Sequence, residues 1–312
     1  MPSRNRRTDT PWIPGDLTDK VVLVTGANGG IGYWTALALA RAGARVLMAC
    51  RSLPKADQAY ADIKAQVPDA QLEIIPLDLA DLASVRKAAD DVLARTDRLD
   101  VLVNNAGVAL VANARTTDGF ESHLGANFLG HFALTGHLID LLVATPGSRV
   151  VHVGSLAHRT GRLRYENLAF EPGRRYHPWT AYAQSKLANT TFMLELERRL
   201  RLAGAPTISV GGHPGASFTG IADRMWIIRV PGIRPIAAWL EGKALNVPEL
   251  GADASVRAAT EPGILGGTYY GPSGFGEVNG AAGPAKISPR AYVDGARLWE
   301  AASRLTGVHF LD

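Results

Sequence analysis

Apolar and polar positions alternate along the chain in two textures. Short runs rich in Val, Leu, Ile and Ala recur at Lys20–Thr25, Ala44–Cys50, Leu72–Pro76, Leu99–Asn104, Arg149–Gly154 and Thr207–Gly211. They are apolar on both faces, as strands covered from both sides must be. Between them, at about 30–43, 52–67, 81–96, 117–145 and 180–203, apolar residues return every three or four positions, which predicts helices. Strands separated by helices build βαβ units, and right-handed crossovers wind those units into an α/β fold with a doubly wound parallel sheet.

The ends of the chain read differently. Residues 1–19 are polar, carry three prolines and read as a flexible N-terminal arm, leaving 20–312 as a single domain. From about Ala216 to Pro289 the alternation breaks into Gly, Pro and aromatic residues, read as a variable C-terminal substrate cap. That stretch includes a strand at "GGTYYG" (266–271), and a last helix follows at about 288–306. Within 217–246, Phe218, Trp226, Ile227 and Trp239 make an apolar stretch. It suits a lid over a lipophilic substrate, a packing face on the sheet or a partner subunit, or a peripheral membrane contact. The segment "MWIIRVPGIRPIAAWL" is too short, and too interrupted by Arg and Pro, to span a bilayer.

Composition narrows the class of protein. With 46% hydrophobic and 20% charged residues, the 312-residue chain reads as an ordinary globular protein with a sizeable core. A net charge of +4 with scattered Lys and Arg leaves no nucleic-acid footprint. The single cysteine, Cys50, fits a reducing compartment, and the arginines near the N-terminus are followed by no apolar leader core. A cytoplasmic protein is the expectation.

Candidate chemistry begins at "TGANGGIG" (25–32), between the first strand and the first helix. Glycines let the backbone adopt positive φ and approach a ligand, and the helix start offers N–H groups and a partial positive charge to an anion. "YAQSK" places Tyr182 and Lys186 at i and i+4 on one helix face. A phenol with an ordinary pKa of about 10 needs cationic neighbours to exchange protons near neutrality, and a nearby lysine ammonium is one such neighbour. Ser155 follows the fifth strand, at the carboxyl edge where such sheets hold ligands; its hydroxyl could bond a substrate oxygen or cap a turn. Asn127 falls mid-helix, where asparagine is disfavoured.

T-G-x-x-x-G-x-G, "NNAG" (104–107), Asn127, Ser155, Tyr182 with Lys186, and "HPGASFT" (213–219) stand in one order over about residues 18–219. In this the chain resembles the short-chain dehydrogenase/reductase family, and "NFLGHFALT" and "RRYHPWTAYAQSKLAN" are similar to its retinol-dehydrogenase-like branch and bacterial relatives. The resemblance implies a Rossmann fold and an oxidoreductase with Asn127, Ser155, Tyr182 and Lys186 as catalytic residues. Tyr182 would be the acid/base and Asn127 would hold a relay water. The implied cofactor contacts are Gly26, Asn28, Gly30, Ile31, Gly32, Arg51, Ser52, Asp78, Leu79, Asn105, Ala106, Gly107, Tyr182, Lys186, Pro214, Gly215 and Thr219.

The second strand ends in Cys50 and Arg51, where NAD enzymes carry an acidic residue for the ribose. A guanidinium grips a 2′-phosphate and a carboxylate would repel it, so the expected cofactor is NADP(H). Asp81 reads as a helix cap. No Cys/His/Asp spacing supports a metal beside His158 and His177. The expected partner is a small alcohol or carbonyl substrate, with a homo-oligomer plausible because family members often pair through the helices carrying Asn127 and Tyr182. Two other readings start from the same motifs: a dinucleotide-sensing protein without turnover, and an NADPH-dependent carbon–carbon double-bond reductase.

Overall fold

The computed structural model describes residues 10–168, 176–215 and 248–312. Eight strands form one sheet in the order β3-β2-β1-β4-β5-β6-β7-β8. They are β1 (Val21–Thr25), β2 (Arg45–Cys50), β3 (Leu72–Pro76), β4 (Val101–Asn104), β5 (Arg149–Val153), β6 (Ile208–Gly212), β7 (Tyr269–Pro272) and β8 (Ala282–Pro284). The first seven are parallel, and β8 closes the edge antiparallel to β7. The order reverses at β1, which lies between β2 and β4. This is the doubly wound α/β architecture, with its ligand crevice at the carboxyl ends of the strands beside that reversal.

Alternation along the strands fills two cores. Leu23, Leu47, Leu102 and Val150 face one side, where α3 (Leu82–Arg95), α4 (Ser122–Ala144), α5 (Pro178–Leu202) and α7 (Gly295–Thr306) cover them. Val22, Val46, Val103 and Val151 face the other, under α1 (Gly30–Arg41), α2 (Leu53–Gln66) and α6 (Pro248–Thr260). Burying such a side chain stabilises the fold by about 1.5–3 kcal/mol, which is why these runs hold no polar face. Asp81 caps α3, accepting from the amides of Ala83 at 2.9 Å and Ser84 at 3.3 Å.

Residues 248–284, expected within the cap, instead continue the sheet: α6 packs over β5, β6 and β7, and β7 and β8 extend the edge. The helix escapes periodicity because its buried face is Ala252, Ala254, Ala258 and Ala259 around Val256. Short side chains give a faint apolar signal yet allow close packing on a sheet. Residues 216–247, which hold most of the expected cap, lie outside the described residues. Of the N-terminal segment, the described part includes Trp12, whose indole N–H donates to Thr260 on α6 at 2.9 Å.

Helix α4 is long and apolar enough to cross a membrane by length and composition, but 72% of that window is buried inside the fold. Phe132 on α4, Phe192 on α5, Trp299 on α7 and Phe310 form one aromatic cluster with ring centroids 4.5–5.8 Å apart. A Cβ on Gly136 of α4 would lie 2.6 Å from both Phe310 and Val308. Val308 and Phe310 thus pack directly against α4 at Gly136.

Candidate active site

Parallel register brings the strand ends to one edge. Thr25 pairs with Ala49, Asn104 with His152, and Val153 with Gly212, so the residues that follow each strand meet along a single crevice. Every site residue expected from the sequence and lying in the described chain is on that edge, at the start of α1, or on α4 and α5 beside it.

The glycine turn is built for close approach. Gly26 and Gly30 have φ of 68° and 52°. A Cβ on Gly32 would come within 2.2 Å of the Gly26 carbonyl oxygen, whereas one on Gly29 would meet nothing within 4 Å. The first N–H groups of a helix have no intrahelical partner, and no side chain caps those of α1. Half-buried Asn28 and buried Ile31 complete the bend. From beneath, the amides of Ala27 and Asn28 donate to the Cys50 thiol, which burial pushes up to about 11. Cys50 is therefore a neutral prop under the turn. An open, donor-lined helix start of this kind fits a pyrophosphate.

Beside it, Arg51 leaves β2 with its side chain 69% exposed, 4.0 Å from the Asp78 carboxylate. Ser52 is the N-cap residue of α2 but makes no capping bond with its side chain. Asp78 accepts from the Ala80 amide at 3.0 Å, and Leu79 is buried against Gly130 of α4. No carboxylate follows β2 before α2 begins.

Asn105, Ala106 and Gly107 follow β4 and close on Thr25. The Thr25 hydroxyl accepts from the amides of Asn105 and Ala106, each at 2.9 Å, and the Asn105 side chain donates to the Thr25 carbonyl at 2.7 Å. On its other side the hydroxyl lies 2.9 Å from Nε2 of His131, whose Nδ1 is 2.9 Å from the Asn127 carbonyl. A carbonyl can only accept, so Nδ1 carries the hydrogen and Nε2 accepts from Thr25. Burial, and secondarily the Lys186 charge, lower this imidazole to about 4, which keeps it neutral.

Asn127 sits in a π-helical turn, Gly125–Leu129, inside α4. That turn explains an asparagine at a mid-helix position: the bulge turns its side chain off the regular ladder. Its Oδ1 accepts from the Val108 amide at 2.7 Å, and its Nδ2 donates to the Val108 carbonyl at 3.0 Å and to the Ser185 hydroxyl at 2.9 Å. A Cβ on Gly107 would lie 2.9 Å from the Asn127 amide oxygen and 3.8 Å from Lys186 Nζ. Asn127, Gly107 and Lys186 therefore share one small space.

Ser155 both caps a turn and meets the phenol. Its oxygen accepts from the Ala157 amide at 3.2 Å, opening a short 3₁₀ turn, and its hydroxyl is hydrogen-bonded to the Tyr182 phenol. One turn apart on α5, Tyr182 and Lys186 are both buried. Lys186 Nζ donates to the Val153 carbonyl at 3.0 Å and lies 6.0 Å from the centre of the Tyr182 ring. Burial lowers its ammonium to about 8. Burial raises the Tyr182 phenol, and the Ser155 hydroxyl works against that rise. The protein's own groups thus leave the phenol above its ordinary value; the expected lowering rests on an oxidised nicotinamide together with the lysine.

After β6, Pro214 and Gly215 turn at the same edge, with Gly215 at φ 72°. Thr219 lies outside the described residues.

Several polar residues around this site carried no chemical signal in the sequence. His131 stands one helical turn after Asn127, and His158 three residues after Ser155, spacings that suit side-chain bonds to those residues' carbonyls. His123, fully buried, takes a 2.6 Å bond with Glu121 and accepts from the Val111 amide at 3.3 Å, with its ring centre 6.0 Å from that of Tyr182. This fixes the loop after β4 beside the phenol.

Comparison with known proteins agrees with this architecture. Residues 20–223 match the family described as short chain dehydrogenase, and the chain belongs to that family of oxidoreductases. It is 38% identical over 303 residues to human retinol dehydrogenase 11, spanning 96% of this chain and 89% of that protein. A crystal structure of an uncharacterized protein from Mycobacterium paratuberculosis superposes with a TM-score of 0.79 at 38% identity, covering 96% and 99% of the two chains. The Pseudomonas aeruginosa RhlG/NADP active-site complex superposes with a TM-score of 0.64 at 25% identity, covering 83% and 96%.

Proposed function

We propose that the protein is an NADP-dependent oxidoreductase that interconverts a lipophilic alcohol and its carbonyl, with Tyr182 as acid/base. The observation that carries this reading is the Ser155–Tyr182–Lys186 grouping at the sheet edge, within reach of the glycine turn. When bound, the nicotinamide supplies the hydride at C4 and, once oxidised, a positive charge beside the phenol. In the reducing direction Tyr182 gives its proton to the substrate oxygen as that oxygen gains charge, and Ser155 donates a hydrogen bond to the same atom. Lys186 orients the ribose and lends its charge to the phenolate left behind. Asn127, held by the π turn, carries the path by which the proton is replaced. In oxidation Tyr182 accepts the proton instead.

The rise of the phenol by burial gives this division of labour a physical reason. Bringing it to neutrality takes more than about 4 kcal/mol of differential stabilisation, so the bound ring's charge must share the task with Lys186. For the phosphate-bearing cofactor the support is Arg51, exposed just after β2 with no acidic residue between β2 and α2. The RhlG complex with NADP supports the same choice. For a lipophilic substrate the support is Trp179, 45% exposed with its ring centre 6.3 Å from that of Tyr182, and the similarity to a retinol dehydrogenase. The lone, buried Cys50 supports a reducing, cytoplasmic setting.

The test is consumption of NADPH with a panel of lipophilic ketones, aldehydes and enones, with products identified. Alcohol products support the proposal. Saturation of the carbon–carbon bond, or NADPH binding without turnover, contradicts it.

A further inference from the structure

Behind Ser155 lies a second polar cluster, and its centre is Glu277. The residue sits in a short turn after β7 at φ 60°, following Gly276 at φ 64°. A glycine meets a positive φ freely, whereas a glutamate there is strained and is kept only where its surroundings hold it. Three groups do so. The Lys286 amide donates to its Oε1 at 3.2 Å, while His213 Nε2 at 3.0 Å and the Arg159 guanidinium both reach its Oε2.

The two side chains bound by Glu277 belong to the two turns that flank the reacting centre. Arg159 ends the 3₁₀ turn that Ser155 opens. His158, its neighbour, donates from Nδ1 to the Ser155 carbonyl at 2.6 Å and accepts from the Ser288 amide at Nε2. His213 begins the turn after β6: its Nδ1 accepts from the Gly215 amide at 3.1 Å, so Nε2 carries the hydrogen given to Glu277. The ring is seated by design of the neighbouring strand, because a Cβ on Gly271 of β7 would lie 2.3 Å from His213 Nε2. Burial lowers His213 to about 4, so it serves as a neutral donor. Burial opposes the Glu277 charge, but the bonds from His213 and the Lys286 amide and the Arg159 charge outweigh it and hold the carboxyl below its usual range.

We infer that Glu277 is a positioning residue that ties the Ser155 turn to the His213–Gly215 turn, fixing the hydroxyl proposed to bind the substrate oxygen relative to the turn after β6 that carries the implied cofactor contacts Pro214 and Gly215. The inference rests on the proposed hydride transfer, since only such a reaction needs those two turns in register. Misplacement by a fraction of an ångström is costly in transfers of this kind.

The experiment compares wild type, Glu277→Ala, Glu277→Gln, His213→Asn and the double variant Glu277→Ala/His213→Asn. Turnover is expressed per NADPH-binding site, counted by fluorescence titration, so that loss of folded protein does not enter. Glu277→Ala is expected to lower kcat per site by about 10-fold or more, while the NADPH Kd moves by no more than about threefold. Glu277→Gln, whose amide oxygen still accepts from His213, is expected to recover part of that loss. Because the two residues act through one bond, the double variant should fall within about twofold of Glu277→Ala. A kcat per site within about twofold of wild type for Glu277→Ala, or losses that multiply in the double variant, would overturn the inference. If Glu277→Ala is recovered only as aggregate, Arg159→Met on the other arm of the bridge takes its place with the same expectations. A wild-type protein that turns over no carbonyl or alcohol overturns the functional reading and this inference with it, and that outcome is visible before any variant is made.

Discussion

Lys186 Nζ donates to the carbonyl of Val153 at 3.0 Å, two residues before Ser155, so the end of β5 fixes the ammonium under the phenol. Burial lowers this lysine to about 8, against about 10.4 in an unfolded chain. Between those values the unfolded state binds more protons, so stability gains as pH rises from 8 toward 10. Comparing chemical unfolding of wild type and Lys186→Met isolates the effect. The difference should move in favour of wild type by up to about 1.4 kcal/mol per pH unit across that window. A difference independent of pH would mean that the lysine is not held in a costly charged state. The same variant should lose about 100-fold or more in turnover.

Arg51 is exposed, and among the described residues its ion-pair partner is a distant carboxylate, Asp78 at 4.0 Å. Its proposed role is electrostatic and confined to the extra phosphate. Arg51→Ala is therefore expected to weaken NADPH by about 10–100-fold, with NADH changing by less than about threefold. Isothermal titration with both cofactors checks this, and equal losses would remove the phosphate assignment.

His152, on β5 against the Phe192 ring, is held at about 3 by burial, while an unfolded imidazole binds its proton near 6.5. Its neutral form contributes full stability above about 6.5, and that contribution is lost as pH falls toward 3. His152→Leu removes the titration. The stability difference between wild type and variant, measured in urea, should shift by about 2 kcal/mol toward the variant between pH 7 and pH 5. No shift would mean that the ring takes up a proton inside the fold.

Much of this site can be read in the sequence because its residues obey local rules. The glycine turn needs positive φ, Asp81 caps the next turn, and Tyr182 and Lys186 share a helix face by spacing alone. The strands were legible through β6 because Val and Leu mark both faces of a covered strand, and β7 through "GGTYYG", which overlaps it from Tyr269 to Gly271. Helix α6 was not, since alanines pack well without announcing a period, and β8 has only three residues. The π turn at Asn127 left a trace, a poorly placed asparagine, but its form depends on Val108, Ser185 and His131. Contacts such as Glu277 with His213 join residues 64 positions apart. No pattern along the chain encodes them; they arise only when β6 and β7 pair.

The central claim is that the Tyr182 hydroxyl exchanges the proton that accompanies hydride transfer. The most direct measurement is NADPH-dependent reduction of a lipophilic ketone by wild type and Tyr182→Phe, with NADPH affinity measured in parallel. The account predicts a loss of about 1,000-fold or more in kcat for the variant, with cofactor affinity changed by less than about threefold. Equal rates for the two proteins would contradict it.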